Sequence, residues 1–220
     1  MIKIAPSILS GDHGNLSHEA SRLEKMGADW IHVDIMDGHF APNLTFGPGA
    51  VKAIRKATRL TLDCHLMISN PEKYVEGFLE AGGDIVTVHA EAVTSQTLGM
   101  IEDSVKKFGR RLGVAFKPST SLDVIDISNV NVSLVIVMTV NPGFSGQKFM
   151  PAVLPKVKEA ADRFKGQQIE IEIDGGVDVT NARLLVERGA TVLVAGNSIL
   201  GQPNPELAFA ELKKSIGNSN

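Results

Sequence analysis

The chain has 220 residues, is 43% hydrophobic and carries a formal net charge of −3. That length can bury a sizeable core as one domain over residues 1–220, and there is no strong basic excess to suggest a nucleic-acid partner. The single cysteine, Cys64, excludes an internal disulfide and points to a reducing, cytoplasmic setting. No apolar run is long enough to span a bilayer and no basic-apolar leader follows Met1, so neither a membrane partner nor export is expected.

Strand and helix signals alternate along the chain. Residues 3–9 read as a first strand, followed by a helix at 16–26 that stops at Gly27. A second strand at 30–36 precedes a helix at 48–57, and a third at 61–67 precedes a helix opened by Pro71, the position proline tolerates best. The fourth unit is a strand at 84–89 and a helix at 95–108 ending at Gly109; the fifth is a strand at 112–116 and a short helix at 122–127. Strand 134–140 and helix 151–164 follow, then strand 169–173 with helix 179–188, and strand 191–195 with helix 205–216. Residues 217–220 read as a frayed tail.

The strands are short, β-branched and almost continuously apolar, as parallel strands covered by helices are. Eight such units fit a (β/α)8 TIM barrel, an α/β fold. A doubly wound open sheet is the alternative, disfavoured because no Gly-x-Gly-x-x-Gly follows the first strand. In a barrel, function sits at the carboxyl ends of the strands.

Polar residues interrupt the apolar strands at those ends. His32, Asp34 and Met36 share one face of the second strand, and Asp63, His65 and Met67 share one face of the third. The seventh ends Glu170-Ile171-Glu172-Ile173-Asp174 before Gly175-Gly176. Each buried imidazole or carboxylate is costly without a partner. Any one of them reads as core or turn chemistry, but the repetition across three strand ends makes His32, Asp34, His65 and Asp174 a ligand set for one divalent cation: zinc, iron, manganese or cobalt.

Glycine-rich turns follow the last three strands: Asn141-Pro142-Gly143-Phe144-Ser145-Gly146-Gln147, Gly175-Gly176, and Gly196-Asn197-Ser198. Glycines let backbone N–H groups converge on an anion, and barrel phosphate sites are built from the final loops. Lys148 is adjacent but no cation lies inside these loops, so neutral donors are expected to do most of the binding. Ser7 ends the first strand and can reach the mouth, and Met36, Met67 and Met138 stand near strand ends as core filler or as a dry wall around a reacting centre. His89 reads as a structural histidine; Glu170 and Glu172 read as interior acids without an identified partner. A cation between two carboxylates, beside a phosphate site, suits proton abstraction next to a ketone: the metal stabilises an enediolate, and bases on opposite faces invert the centre.

At these residues the chain resembles the ribulose-phosphate 3-epimerase family. The resemblance is carried by Ala5-Pro6-Ser7-Ile8-Leu9-Ser10, by residues 32–40 with Pro42-Asn43, by Asp63-Cys64-His65-Leu66-Met67, by residues 137–147, by residues 173–177 and by Ala195-Gly196. It implies a barrel of the ribulose-phosphate-binding type that interconverts D-ribulose 5-phosphate and D-xylulose 5-phosphate at C3 in the pentose phosphate pathway. It also implies metal on His32, Asp34, His65 and Asp174, and Asp34 and Asp174 as the acid/base pair. The implied substrate contacts are Ser7, His65, Met36, Met67, Met138, Gly143, Phe144, Ser145, Gly146, Gly175, Gly176, Gly196 and Asn197, and the implied assembly is a homo-oligomer, dimer or hexamer. Asn197 stands where a serine is commoner, and Lys117 where many relatives carry asparagine. An allulose-6-phosphate epimerase would share the metal set and mechanism. A barrel lyase would show Asp-x-Lys-x-x-Asp, which Asp34-Ile35-Met36-Asp37 lacks. A catalytically dead phosphate-binding barrel is disfavoured because both carboxylates and both histidines are present.

Overall fold

Short β-branched runs bounded by glycine, proline and polar turns become the strands of a computed structural model that describes residues 2–217; the tail expected at 218–220 lies outside the described residues. The elements are β1 (Lys3–Pro6), α1 (Leu16–Met26), β2 (Trp30–Met36), α2 (Pro48–Ala57), β3 (Thr61–Met67), α3 (Val75–Glu80), β4 (Ile85–His89) and α4 (Ser95–Lys107). They continue as β5 (Arg111–Phe116), β6 (Val132–Met138), α5 (Leu154–Arg163), β7 (Glu170–Asp174), α6 (Ala182–Glu187), β8 (Val192–Ala195) and α7 (Pro205–Ser215). All pairings between named strands are parallel, in the order β1-β8-β7-β6-β5-β4-β3-β2, and a parallel bridge from Ser7 to His32 joins β1 to β2. This is a (β/α)8 TIM barrel.

Helix limits follow local chemistry. Pro48 and Pro205 occupy first-turn positions, Gly27 ends α1 with φ 82°, and Thr94 and Thr97 form a capping box at α4. The helix expected at 122–127 does not form; the segment is a series of turns. The backbone closes single turns there, with Val124 N donating to the Ser121 carbonyl, while Ser121 Oγ accepts from Asp123 N at 3.2 Å and Asp126 Oδ1 from Ser128 N at 2.9 Å. Leu122 and Ile125, the residues that mimic a helical stripe, are buried from within the turns. The first strand is likewise shorter than expected: after Pro6 the chain enters a 3-10 turn at Ile8–Ser10.

Period-two alternation divides the core. Outward residues such as Val33, Ile35, Cys64, Leu66, Val135 and Ile173 pack under Leu23, Ile54, Leu98, Val157 and Phe209 of the helices. Inward residues form a second cluster with Trp30, Met36, Met67, Leu134, Ile136, Met138 and Val194. At the amino ends of the strands Lys3 pairs with Glu170, while Lys3 and Arg111 lie 5.2 and 5.1 Å from the Trp30 ring centre, closing that end with cation–π contacts.

At the opposite end Asp37 ties two loops together. Its Oδ1 accepts from His39 N and Phe40 N, each at 2.9 Å, and its Oδ2 accepts from Ser69 N at 2.8 Å. Burial opposes its charge, but these backbone donors outweigh it and hold the carboxyl down at about 2. Because the folded value lies below the ordinary one, the stabilisation is present above pH ~4 and is lost as pH falls toward about 2. Asp37→Asn is expected to lower stability by about 1 kcal/mol at pH 7, after allowance for solvent exposure, or roughly 2–4 °C in Tm. The difference from wild type should shrink between pH 4 and pH 2 in thermal melts; a constant difference would show that the charge is irrelevant.

Candidate active site at the carboxyl ends of the strands

Strand register brings the polar residues together. His32 pairs with Asp63 and Asp34 with His65 across β2 and β3, and Met138 pairs with Asp174 across β6 and β7. His32 Nε2 lies 3.4 Å from Asp34 Oδ1 and 3.8 Å from Asp174 Oδ2. His65 Nδ1 lies 3.8 Å from Asp34 Oδ1, 3.4 Å from Asp174 Oδ2 and 3.3 Å from His32 Nε2. A tetrahedral ion with bonds of about 2.0–2.1 Å needs ligand–ligand edges of roughly 3.3–3.4 Å, close to this set. Asp174 Oδ2 is buried without a hydrogen-bond partner, as an oxygen reserved for a cation would be. The donor set, two imidazoles and two carboxylates, suits a borderline divalent metal.

Further groups hold the four in place. Ser7 Oγ donates to Asp34 Oδ2 at 2.5 Å, and Thr45 Oγ1 donates to the Asp34 carbonyl at 2.6 Å. Thr139 N donates to the Asp174 carbonyl at 2.8 Å. Behind His32, Nδ1 donates to Asp63 Oδ2 at 2.7 Å, and Thr87 Oγ1 donates to Asp63 Oδ1 at 3.2 Å. Gly113 makes room for that threonine: a Cβ there would stand 2.2 Å from Thr87 Oγ1. Glu172 Oε1 is 3.2 Å from His32 Nδ1, but the imidazole proton is directed at Asp63, so neither Glu172 oxygen has a hydrogen-bond partner.

Burial, then the neighbouring Asp63 charge, pushes the Glu172 carboxyl well above its ordinary range. Burial alone would make His32 a weaker base; the adjacent Asp34 and Asp63 carboxylates win and raise it well above its usual value. Burial likewise opposes the Asp34 charge, while His32, His65 and the Ser7 hydroxyl hold that carboxyl at about 2. The carboxylates thus demand positive charge at this spot, from a protonated imidazole or from a cation. Further out, burial drives His89 down to about 4 despite the Glu91 carboxylate, so this histidine is neutral near pH 7.

A cavity of about 880 Å³ opens above the cluster. Ser7, Asp34, Met36, Met67, Met138, Asp174, Gly175, Gly176, Gly196, Asn197 and the whole Gly143–Phe144–Ser145–Gly146 turn line it, as does Lys148. His32 and His65 do not line it; both are fully buried behind the carboxylates. The three methionines are at most 6% exposed. Gly176, at φ 66°, could carry no side chain, because a Cβ would stand 2.4 Å from Phe149 N. Gly175, at φ 124°, is similarly confined by Val140. The Gly143–Gly146 turn is tied to its surroundings by Asn43 Nδ2, which donates to the Gly143 carbonyl at 2.9 Å, and by a 2.6 Å contact between the Ser10 and Ser145 hydroxyls.

Sequence reasoning left out Asp63, Thr87, Glu91 and Thr45 as site groups. Asp63 and Thr87 were within reach: each lies two residues before an inward histidine on its own strand, so it shares that face. Thr45 and Glu91 lie in connections, where no periodicity marks them.

The family model described as ribulose-phosphate 3 epimerase family matches residues 3–200. A ribulose-phosphate 3-epimerase of Bacillus subtilis (strain 168) is 47% identical over 98% of this chain and 100% of its own. One from Synechocystis sp. is 44% identical over 97% of this chain and 94% of its own. Among solved structures, a 3-hexulose-6-phosphate synthase superposes with a TM-score of 0.73 at 18% identity, covering 98% of this chain and 100% of that one. KGPDC from Streptococcus mutans gives a TM-score of 0.74 at 15% identity, covering 98% and 97%. These distant structures share the fold, whereas the close relatives match along nearly their whole length and the family model spans the barrel from first strand to last: the chain belongs to the ribulose-phosphate 3-epimerase family.

Proposed function

We propose that the chain, working as one barrel domain, interconverts D-ribulose 5-phosphate and D-xylulose 5-phosphate by proton transfer at C3, with Asp34 and Asp174 as the two acid/base groups. The observation that carries this reading is the convergence of those carboxylates on one floor of the cavity, with both imidazoles directly behind them. His32, Asp34, His65 and Asp174 would hold one divalent cation. When bound, it would supply Lewis-acid stabilisation of negative charge on the substrate's oxygens.

The chain's own groups do the rest. Each carboxylate turns one oxygen to the cluster and keeps the other for the substrate. In Asp34 the second oxygen is Oδ2, oriented by the Ser7 hydroxyl. One carboxylate takes the C3 proton, and the other returns a proton to the opposite face, which inverts the centre. Met36, Met67 and Met138 keep the reacting carbon against a dry, polarisable wall. The backbone N–H groups of the turns at Gly143–Gly146, Gly175–Gly176 and Gly196–Asn197 bind the phosphate, which fixes the register of C3 against the two bases. Some cavity-lining groups are exposed, including Phe144 at 58%, which supports their closing over a bound sugar phosphate.

The free, buried Cys64 supports a reducing, cytoplasmic setting, and no described helix is long and apolar enough to cross a membrane. Exposed Leu44 and Met100, at 77% and 56%, support burial in a homo-oligomer.

Turnover in deuterated water is expected to place deuterium at C3 of product, with D-ribulose 5-phosphate outpacing D-allulose 6-phosphate in kcat/KM; product without solvent deuterium would rule out exchangeable acid/base groups. Chelation should abolish turnover and added divalent metal restore it; full activity in demonstrably metal-free protein would remove the cation from the scheme. Asp174→Asn should lower kcat by about 10²–10⁴-fold while leaving inhibition by inorganic phosphate within a few-fold. A nearly active variant would overturn the two-base assignment.

A further inference from the structure

The four groups at the centre leave one imidazole nitrogen on each histidine facing away. His32 Nδ1 is taken by Asp63 directly. His65 has no carboxylate on its far side. Its Nε2 instead stands 2.9 Å from Nε2 of His89, and His89 Nδ1 stands 2.9 Å from Glu91 Oε2. Both rings are fully buried, with centres 5.0 Å apart and planes 19° from parallel, so they meet edge to edge through the two Nε2 atoms. The series runs from the centre to the turn at Ala90–Ala92, where the Glu91 side chain is 18% exposed.

We propose that Glu91, acting through His89, is the positioning residue that fixes the His65 tautomer and so turns the His65 Nδ1 lone pair toward the cation. This rests on the reading of His32, Asp34, His65 and Asp174 as cation ligands. Proton bookkeeping carries it. A carboxylate only accepts, so His89 Nδ1 donates to Glu91 Oε2. A neutral imidazole has one proton, so His89 Nε2 is then an acceptor. The partner it faces, His65 Nε2, must donate. That places the single His65 proton on Nε2 and leaves Nδ1, the atom 3.4 Å from Asp174 Oδ2, with its lone pair free. Outer partners of metal-bound histidines act in this way.

Glu91 cannot be replaced by its amide without a conflict. Its Oε1 accepts from Lys117 N at 2.8 Å while Oε2 accepts from His89, so both oxygens must be acceptors. The Lys117 backbone is itself held: Lys156 Nζ donates to the carbonyls of Lys117 at 2.8 Å and Pro118 at 2.7 Å. An amide oxygen facing Lys117 N would turn the NH2 group toward His89 Nδ1. His89 would then carry its proton on Nε2, His65 Nε2 would have to accept, and the His65 proton would move to Nδ1, where it blocks the cation.

The test is cobalt(II) titration of metal-free Glu91→Gln, followed by the visible d–d bands, beside 15N-histidine long-range NMR spectra of the metal-free protein and thermal melts. A shell of this kind is expected to be worth about 10–100-fold in cobalt affinity. The His65 15N pattern should move from Nε2-protonated toward Nδ1-protonated while the chain stays folded. Unchanged affinity with an unchanged His65 pattern would overturn the assignment. His89→Phe, which keeps an aromatic ring at this position and removes both nitrogens, is the second variant should Glu91→Gln not fold. It is expected to lose affinity in the same range, and full affinity there would overturn the proposal equally. Failure of the wild-type protein to take up one cobalt per chain would instead remove the four-ligand reading, and this inference with it.

Discussion

Two imidazoles and four carboxyl groups, those of Asp34, Asp63, Glu172 and Asp174, share the inside of one barrel, and their mutual compensation is the constraint on which the rest depends. None of these groups is more than 8% exposed. An isolated charge at such a depth is prohibitively costly, and a buried pair contributes only when its geometry is good and its remaining lone pairs are met. Asp63 meets His32, Ser7 meets Asp34, and burial with the Asp63 charge pushes the Glu172 carboxyl upward. The carboxylate oxygens facing the centre have the imidazoles alone, which makes that point electrostatically hungry for a cation.

The barrel axis orders these demands. The amino end is closed by Lys3, Glu170 and Arg111, which reach toward solvent over the buried Trp30. The middle holds Asp63, Thr87 and Glu172, which touch no cavity and act only on the layer above. The carboxyl end carries Asp34 and Asp174, with glycine turns beside them. The mouth therefore stands on a hydrogen-bonded floor supplied by strands and is rimmed by loops. The turn between β5 and β6, which lacks a helix, still serves this floor by presenting Lys117 N to Glu91.

Much of this was legible before the structure. The alternation of short apolar strands with helices identified the barrel, and polar residues recurring at strand ends identified His32, Asp34, His65 and Asp174. The glycine turns after the last three strands marked the cavity wall. Local pattern failed between β5 and β6, where apolar residues spaced like a helix, Leu122 and Ile125, are buried from a series of turns. It also failed for Thr45 and Glu91, whose roles depend on contacts with distant strands rather than on a repeating face.

By itself the sequence determined which side chains face inward and at which end of the strands they sit, because a strand's period of two and the glycine that ends it are local properties. Which atoms meet was decided only by the closed sheet. Register sets Asp34 beside His65, closure brings β7 across to β2, and the contact of His89 Nε2 with His65 Nε2 depends on how two neighbouring strands align. Hydrogen bonds need their partners within about 3 Å, and no local pattern specifies position to that precision between residues many positions apart. The identity of each imidazole's partner, and hence which nitrogen is left for a cation, is a property of the tertiary structure alone.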